Sequence, residues 1–442
     1  MRSPSATAAR IAAVAILAAV SVAACGISST GTPSTGNQAG PSGTPIQIGI
    51  SLSKTGDFSA DGLACLRGYQ LWASDINNHG GLLGRPVKLV VLNDNSDPGT
   101  AAKNYTTLIT QDHVNLVLGP FSSLLTIPAA QTARKYGYAL IEGSGTAPAV
   151  YNTKLPNLFG VSAPVVTQMQ PFARWVASLP ASQRPRTAAY AMVDDPFADP
   201  PVEAAQKIIQ AAGVATVYNN SGLAGSTGKP YTLPANPAKA AAALAADAQK
   251  VAAARPQLVV IGSVDVPTVA AFINEFKQLR FNPQMIIAAA GPDQGQQFLD
   301  AIGTGNAEGI MVPNGWYGGF QNALSHVMVQ EYIARYGGTA SDINADVAEA
   351  YSAGQVLADA VSNVGLSNKK IISFLHANRT PFNTVQGPVL WNQYVSGQAS
   401  GQNVRAAHFV FQWLSSGHFV QVLSTSGQAS QNIRIIKPDW SS

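Results

Sequence analysis

From residue 46 onward, short apolar runs alternate with segments of helical spacing. Ile46-Gln47-Ile48-Gly49-Ile50-Ser51-Leu52 alternates apolar with small or polar residues, the period of a strand, and Lys54-Thr55-Gly56-Asp57 breaks it. Between Ala60 and Asn78 the residues Leu63, Leu66, Tyr69, Leu71, Trp72 and Ile76 fall at helical spacing, and Gly80-Gly81 supplies a stop. Val87 to Leu92 is a near-continuous apolar strand. The alternation continues with a helix over 100–111, a strand over 114–118, a helix after Ser122 to Tyr136 and a strand over 138–142. Strands written as continuous apolar runs are buried on both faces, which predicts a parallel sheet covered by helices.

A second series repeats the pattern with strands over 187–193, 215–218, 257–261 and 285–290. Helices fall between them, including the Ala-rich stretch Pro237 to Ala254, whose composition favours helix. A helix-rich stretch follows to about Gly365, with another helix near Lys369 to Ala377. Val404 to Gln412 and His418 to Ser424, separated by Leu414-Ser415-Ser416-Gly417, read as a β-hairpin. The fold class is α/β: two doubly wound parallel-sheet units and a terminal hairpin, with no internal repeat of 20 to 50 residues.

The start of the chain differs in kind. Arg2 and Arg10 sit in a basic leader, followed by the 14-residue apolar run Ile11 to Ala24. That run is too short to span a bilayer and fits a signal peptide over residues 1–24. It ends in Val22-Ala23-Ala24-Cys25-Gly26, which resembles the lipobox of bacterial lipoproteins and implies acylation of the Cys25 thiol. An ordinary secretory cleavage site beside an incidental cysteine is the other reading. Residues 26–45 carry no charge and almost no large side chain, the composition of a flexible tether with an end-to-end distance of roughly 25 Å. The mature protein is then expected outside the cytoplasm, anchored to the cell membrane through its lipid.

Composition narrows the function. The 442 residues are 46% hydrophobic and 11% charged, enough for a sizeable core in two domains of ordinary size. Net charge is +4 and falls to +2 once Arg2 and Arg10 are removed. No Lys/Arg run is interleaved with aromatics, which argues against a nucleic-acid binder. Two cysteines make neither a disulfide scaffold nor a thiolate zinc cluster, and Cys65, inside the first helix, reads as a small buried hydrophobe. The six histidines are scattered, and the chain lacks Gly-x-Ser-x-Gly, His-Glu-x-x-His, the phosphate-binding loop and a Gly-x-Gly-x-x-Gly after its first strand. Neither catalysis, a metal nor a cofactor is expected.

Several strings together resemble the branched-chain amino-acid (leucine/isoleucine/valine) binding proteins of ABC transporters. They are Ile46 to Ile50 with Thr55-Gly56, Asn77-Asn78-His79-Gly80-Gly81-Leu82-Leu83-Gly84-Arg85-Pro86, Asn93 to Pro98, Leu118-Gly119-Pro120-Phe121-Ser122-Ser123, Ala307-Glu308-Gly309-Ile310 and Gly387-Pro388-Val389-Leu390-Trp391. The resemblance runs in order over residues 46 to 424. It implies a type I periplasmic-binding-protein fold: two lobes joined by crossovers near Gly160-Val161-Ser162, Val312-Pro313-Asn314 and Gly387-Pro388-Val389. One lobe would combine 46–161 with 314–387, the other 162–313 with 388–438.

The resemblance also implies a site. Ser122 and Ser123 match the family's serine-rich turn, and Ser144-Gly145-Thr146 its small-residue loop. At strand carboxyl ends, hydroxyls and free helix N–H groups make a carboxylate receptor; helix capping is the alternative for these residues. In the second lobe Phe197 stands where the family has tyrosine and can stack on a ligand without donating a hydroxyl bond. Asp293 is the candidate for a ligand ammonium, and Asp61 and Asp265 are further candidates, with solvated loop carboxylates as the alternative. The expected protein is a monomeric, lipid-anchored solute-binding component of an ABC importer. It would close two lobes around an amino acid, a short amide or a small aromatic acid and deliver it to permease subunits. A ligand-sensing receptor domain of the same fold is the second reading.

Overall fold

The computed structural model describes residues 40–220, 237–320, 322–393 and 399–440. The leader, Cys25 and the tether up to residue 39 lie outside the described residues. Nine elements build the first sheet and its cover: β1 (Ile46–Leu52), α1 (Ser59–Asn78), β2 (Val87–Asn93), α2 (Pro98–Thr110), β3 (Leu116–Leu118), α3 (Ser123–Lys135), β4 (Leu140–Glu142), α4 (Pro148–Asn152) and β5 (Leu158–Gly160). The strands run parallel in the order β2-β1-β3-β4-β5. Ile46, Ile48, Ile50 and Leu52 are wholly buried, as the alternation of β1 requires of a central strand.

The second sheet begins after α5 (Gln170–Ser178) and runs through β6 (Thr187–Met192), α6 (Asp199–Ala211), β7 (Ala215–Asn219), α7 (Pro237–Ala254), β8 (Leu258–Gly262), α8 (Val266–Gln278), β9 (Met285–Ala288), α9 (Gln296–Ile302) and β10 (Ile310–Asn314). The chain then returns to the first sheet through α10 (Ala323–Tyr336), α11 (Ala345–Val364) and α12 (Asn368–Ala377). Two short pairs follow, β11 (Phe382–Thr384) with β12 (Gly387–Val389) and β13 (Trp391–Gln393) with β14 (Ala399–Asn403). The hairpin β15 (Phe409–Leu414) and β16 (His418–Leu423) is not free-standing: β15 pairs antiparallel with β10, giving the order β16-β15-β10-β9-β8-β6-β7.

Long-range packing explains the return of the late helices. A Cβ on Gly68 would lie 2.2 Å from the Val347 carbonyl oxygen, and one on Gly354 would lie 2.3 Å from the Trp72 ring. Only glycine at these two positions lets α1 and α11 pack backbone to side chain over the buried Trp72. Where the chain crosses between sheets, Trp391 Nε1 donates to the Gly160 carbonyl at 2.7 Å and Asn403 Nδ2 to that of Val161 at 2.7 Å. The result is α/β with two lobes. No helix among the described residues is long and apolar enough to cross a membrane.

Candidate functional site

Strand order reverses between β1 and β3 in the first sheet and between β6 and β8 in the second. At such points the loops beyond the strands' carboxyl ends part and leave a crevice. The two crevices face each other and share a cleft of about 640 Å³, its open mouth included. From the first lobe it is lined by Asp61 in the first turn of α1, Phe121 and Ser122 after β3, Ser144 and Thr146 after β4, and Asp346 and Glu349 at the start of α11. From the second come Phe197 after β6, Val264 after β8, and Ala289, Ala290 and Asp293 after β9, with Asn314 at the end of β10, where the chain crosses back towards the first lobe. Ser162, Gln168 and His408 also line it.

Six of the sequence-predicted site residues therefore meet in one cavity: Ser122, Ser144, Thr146, Phe197, Asp293 and Asp61. Three do not line it. Ser123 is turned into the first lobe, where its hydroxyl oxygen accepts from the Ala147 N–H at 3.1 Å. Gly145 spends its N–H on Glu142 Oε1, behind the cleft. Asp265 is buried as the N-cap of α8, accepting from the Thr268 N–H at 2.8 Å.

Ser122 is unusual in three respects. Its φ is 144°, a conformation open mainly to glycine and worth about 1–3 kcal/mol of strain. It stands at the N-cap of α3 yet makes no side-chain cap bond. The residue is 2% exposed, and its buried hydroxyl has no hydrogen-bond partner. The capping alternative thus fails for this serine.

Much of the remaining polar lining is acidic. Ser144 Oγ donates to Glu349 Oε2 at 2.9 Å, and Asn314 Nδ2 and the Gly291 N–H donate to Asp293 at 2.9 and 3.0 Å. Gln294, from the second lobe, donates its amide to Asp61 Oδ1 and, at 3.4 Å, to Asp346 Oδ2. Burial, reinforced by like charge, pushes these carboxyls up: Glu349 to about 7, Asp61 and Asp346 well above the carboxylate range. Burial alone raises Asp293 to about 6 against three hydrogen bonds that favour its anion. His408 is held down to about 4 by burial and stays neutral at pH 7. Behind the cleft, Cys65 is a buried free thiol 3.8 Å from Ser144 Oγ, its ionisation suppressed mainly by desolvation.

Sequence reasoning missed Asp346, Glu349, Gln168, Ser162, Asn314 and His408. For two of them a signal existed. Asp346 and Glu349 are three apart, hence on one face, at the head of a helix with a single further charged residue, Asp359.

A cleft lined by the strand ends of two doubly wound lobes, with a strained, uncapped serine and four carboxyls facing it, defines a two-lobed solute-binding protein. The chain belongs to the periplasmic binding protein family, whose sequence profile matches residues 45–417. It is 33% identical over 114 residues to an amino acid binding protein of Pseudomonas aeruginosa, covering 26% of this chain and 30% of that one. It is 31% identical over 111 residues to the chemotactic signal transduction system substrate-binding protein BasB of Halobacterium salinarum, covering 25% of this chain and 27% of that one. The chain thus aligns with under a third of the length of these curated relatives.

Among solved structures it resembles the branched-chain amino acid transporter substrate binding protein LivJ from Streptococcus pneumoniae in complex with isoleucine. The TM-score is 0.67 at 19% identity, over 86% of this chain and 100% of that one. It also resembles an R. palustris ABC-transporter solute binding protein in complex with benzoate, with TM-score 0.68 at 19% identity over 88% and 99%. The type I fold expected from the sequence is the fold found. The matched proteins are binding proteins, in keeping with the expectation that this one is not an enzyme.

Proposed function

We propose that the protein captures a small amino-bearing solute between its lobes and, held outside the cytoplasm by a lipidated Cys25, presents the closed form to the permease subunits of an ABC importer. The lobes in this reading are residues 46–161 with 314–387 and residues 162–313 with 388–438, working as a monomer that closes by hinge motion. The observation that carries the reading is Ser122, whose strained backbone, absent cap and unpaired buried hydroxyl are explained by a ligand oxygen or nitrogen in the cleft. The cleft's carboxyls supply the counterpart of an ammonium group. They support an amino acid or a related amide over an anionic aromatic acid such as the benzoate of the R. palustris protein. The amino-acid relatives and the isoleucine-bound structure support the same class.

A thermal-shift panel of amino acids, amides and aromatic acids tests this, because a ligand that binds only the native state raises the apparent melting temperature. With the hit in hand, Ser122→Ala should weaken calorimetric affinity by about 1–3 kcal/mol. Unchanged affinity would remove the first-lobe half of the site, and turnover of the hit by purified protein would overturn the binding role. The similarity to BasB supports a second reading, a receptor domain reporting to a signalling partner. Permease and ATPase genes beside this one favour import; a chemoreceptor or kinase gene favours sensing.

A further inference from the structure

Four carboxyl groups face the cleft, Asp61, Asp346 and Glu349 from the first lobe and Asp293 from the second, and no lysine or arginine among the described residues lines it. One ammonium group, as in leucine, can pair with only one or two of these four carboxyls and leaves the rest buried without a cation. The buried acceptors say the same. Gln168 is 6% exposed and its Nε2 donates to the Ala289 carbonyl at 2.7 Å and the Pro313 carbonyl at 3.4 Å, which fixes Oε1 as the end without a donor. Asp61 is 2% exposed, and its Oδ2 likewise receives no N–H or hydroxyl, the side chain otherwise sharing a hydrogen bond with the neighbouring Asp346 carboxyl. The wall therefore asks for donors. The protein's own Gln294 amide already puts one nitrogen between Asp61 and Asp346. No set of three or more His, Cys, Asp or Glu side chains among the described residues is arranged to hold a metal ion, which favours an organic cation at the acidic wall.

We propose that the cleft is built for a solute with two cationic nitrogens, a basic amino acid or a diamine, one nitrogen taking the position of the Gln294 amide between Asp61 and Asp346 and the other facing Glu349 and Asp293. This rests on the reading that the cleft captures an amino-bearing solute and specifies its charge. Two cations would offset the burial that now keeps protons on the four carboxyls, and the like-charge repulsion that adds to it at Asp61, Asp346 and Glu349. Ser122, at the N-terminal end of α3, remains free to take a carboxylate, which distinguishes the amino acid from the diamine.

Matched probes on the wild-type protein test the proposal without relying on any variant. Isothermal titration at pH 7 would compare lysine with norleucine, which differs by the side-chain amine, and 1,5-diaminopentane with pentylamine. Each dication should bind at least about tenfold tighter than its monocationic partner, since carboxylates near the second nitrogen attract it strongly in a partly buried site. Glu349→Gln should shrink that ratio. Lysine above diaminopentane would assign the carboxylate to Ser122; the reverse would make the ligand a diamine. Norleucine or leucine binding as tightly as lysine would overturn the proposal and leave the amino-acid reading standing. Silence from all four probes while an amide binds would also overturn it, and silence from every amino compound would overturn both. Calcium chloride giving the heat that the amines do not would refute it as well.

Discussion

Glu142, just behind the serine wall, offers the most quantitative check on this account of the site. It is fully buried at the end of β4, with Oε1 accepting from the Gly145 N–H and Oε2 lying 2.8 Å from Thr126 Oγ1. Desolvation, helped by the charge of Glu349, raises its carboxyl from the usual 4.5 to about 8, against two hydrogen bonds that favour the anion. The neutral acid suits its surroundings: it can donate to Thr126, whose hydroxyl donates on to the Ser122 carbonyl at 2.8 Å. The native state thus keeps a proton that the unfolded chain has released. Stability from this group is full below pH 4.5 and is lost as pH rises towards 8, at about 1.36 kcal/mol per pH unit. Glu142→Gln replaces the acid with a neutral amide that can make the same two bonds, so it removes the penalty and keeps the shape. Urea denaturation followed by circular dichroism should show the variant equal to wild type near pH 4 and more stable by about 3 kcal/mol at pH 7. A difference that is flat with pH, or a variant that loses stability as pH rises, would mean that Glu142 is ionised in the native protein and that the reasoning fails.

Other perturbations probe the frame around the cleft. Gly68→Ala drives a methyl group against the Val347 carbonyl and should cost about 1–3 kcal/mol in the same denaturation assay; a loss under about 0.5 kcal/mol would mean that α1 and α11 are not in close contact. Gln294→Ala removes a donor that reaches from the second lobe to Asp61 and Asp346 of the first, so small-angle scattering without ligand should show a larger radius of gyration. An unchanged radius would deny Gln294 any part in holding the lobes together. Trp413→Phe strips the 2.8 Å bond from Trp413 Nε1 to the Pro292 carbonyl, costing about 1–3 kcal/mol of stability and loosening the loop that carries Asp293 and Gln294. Ligand affinity should fall with it in calorimetry, and affinity kept in full would detach that loop from binding.

Local pattern carried most of the fold. The buried isoleucines of β1 and the Ala-rich α7 have the type predicted for them because their periodicity and composition are strong over the whole element. What local pattern could not carry was assembly. Nothing in the alternation of residues 409–423 says that β15 will pair with β10, a strand about a hundred residues earlier. The acidic wall was hidden for the same reason. Asp346 lies in the first turn of α11, where an acidic residue is ordinary because it faces the positive end of the helix. Only the packing of α11 against α1, through Gly68 and Gly354, turns that end of the helix towards Asp61 and makes its acids a wall of the cleft.

Asp265 and Asp293 show where finer reading of the sequence would have separated a cap from a binding group. Both follow a strand of the second sheet at its carboxyl end. Asp265 is followed by Val266-Pro267-Thr268, and the proline, fixed at a helical φ, starts α8 at once, so the carboxylate is drawn onto the Thr268 N–H at 2.8 Å. Asp97, followed by Pro98-Gly99-Thr100, behaves in the same way, accepting from the Thr100 N–H at 2.6 Å and from its hydroxyl at 2.7 Å. Asp293 is followed by Gln294-Gly295 instead. Gly295, at φ 54°, turns the chain before α9 can begin at Gln296, so no helix N–H comes within reach of the carboxylate. Its bonds come from Gly291 and Asn314, inside the loop and from the neighbouring strand, and they hold it towards the cleft. An aspartate with proline one or two residues on and threonine three residues on is committed to a cap. One released by a glycine before the helix starts is left for the ligand.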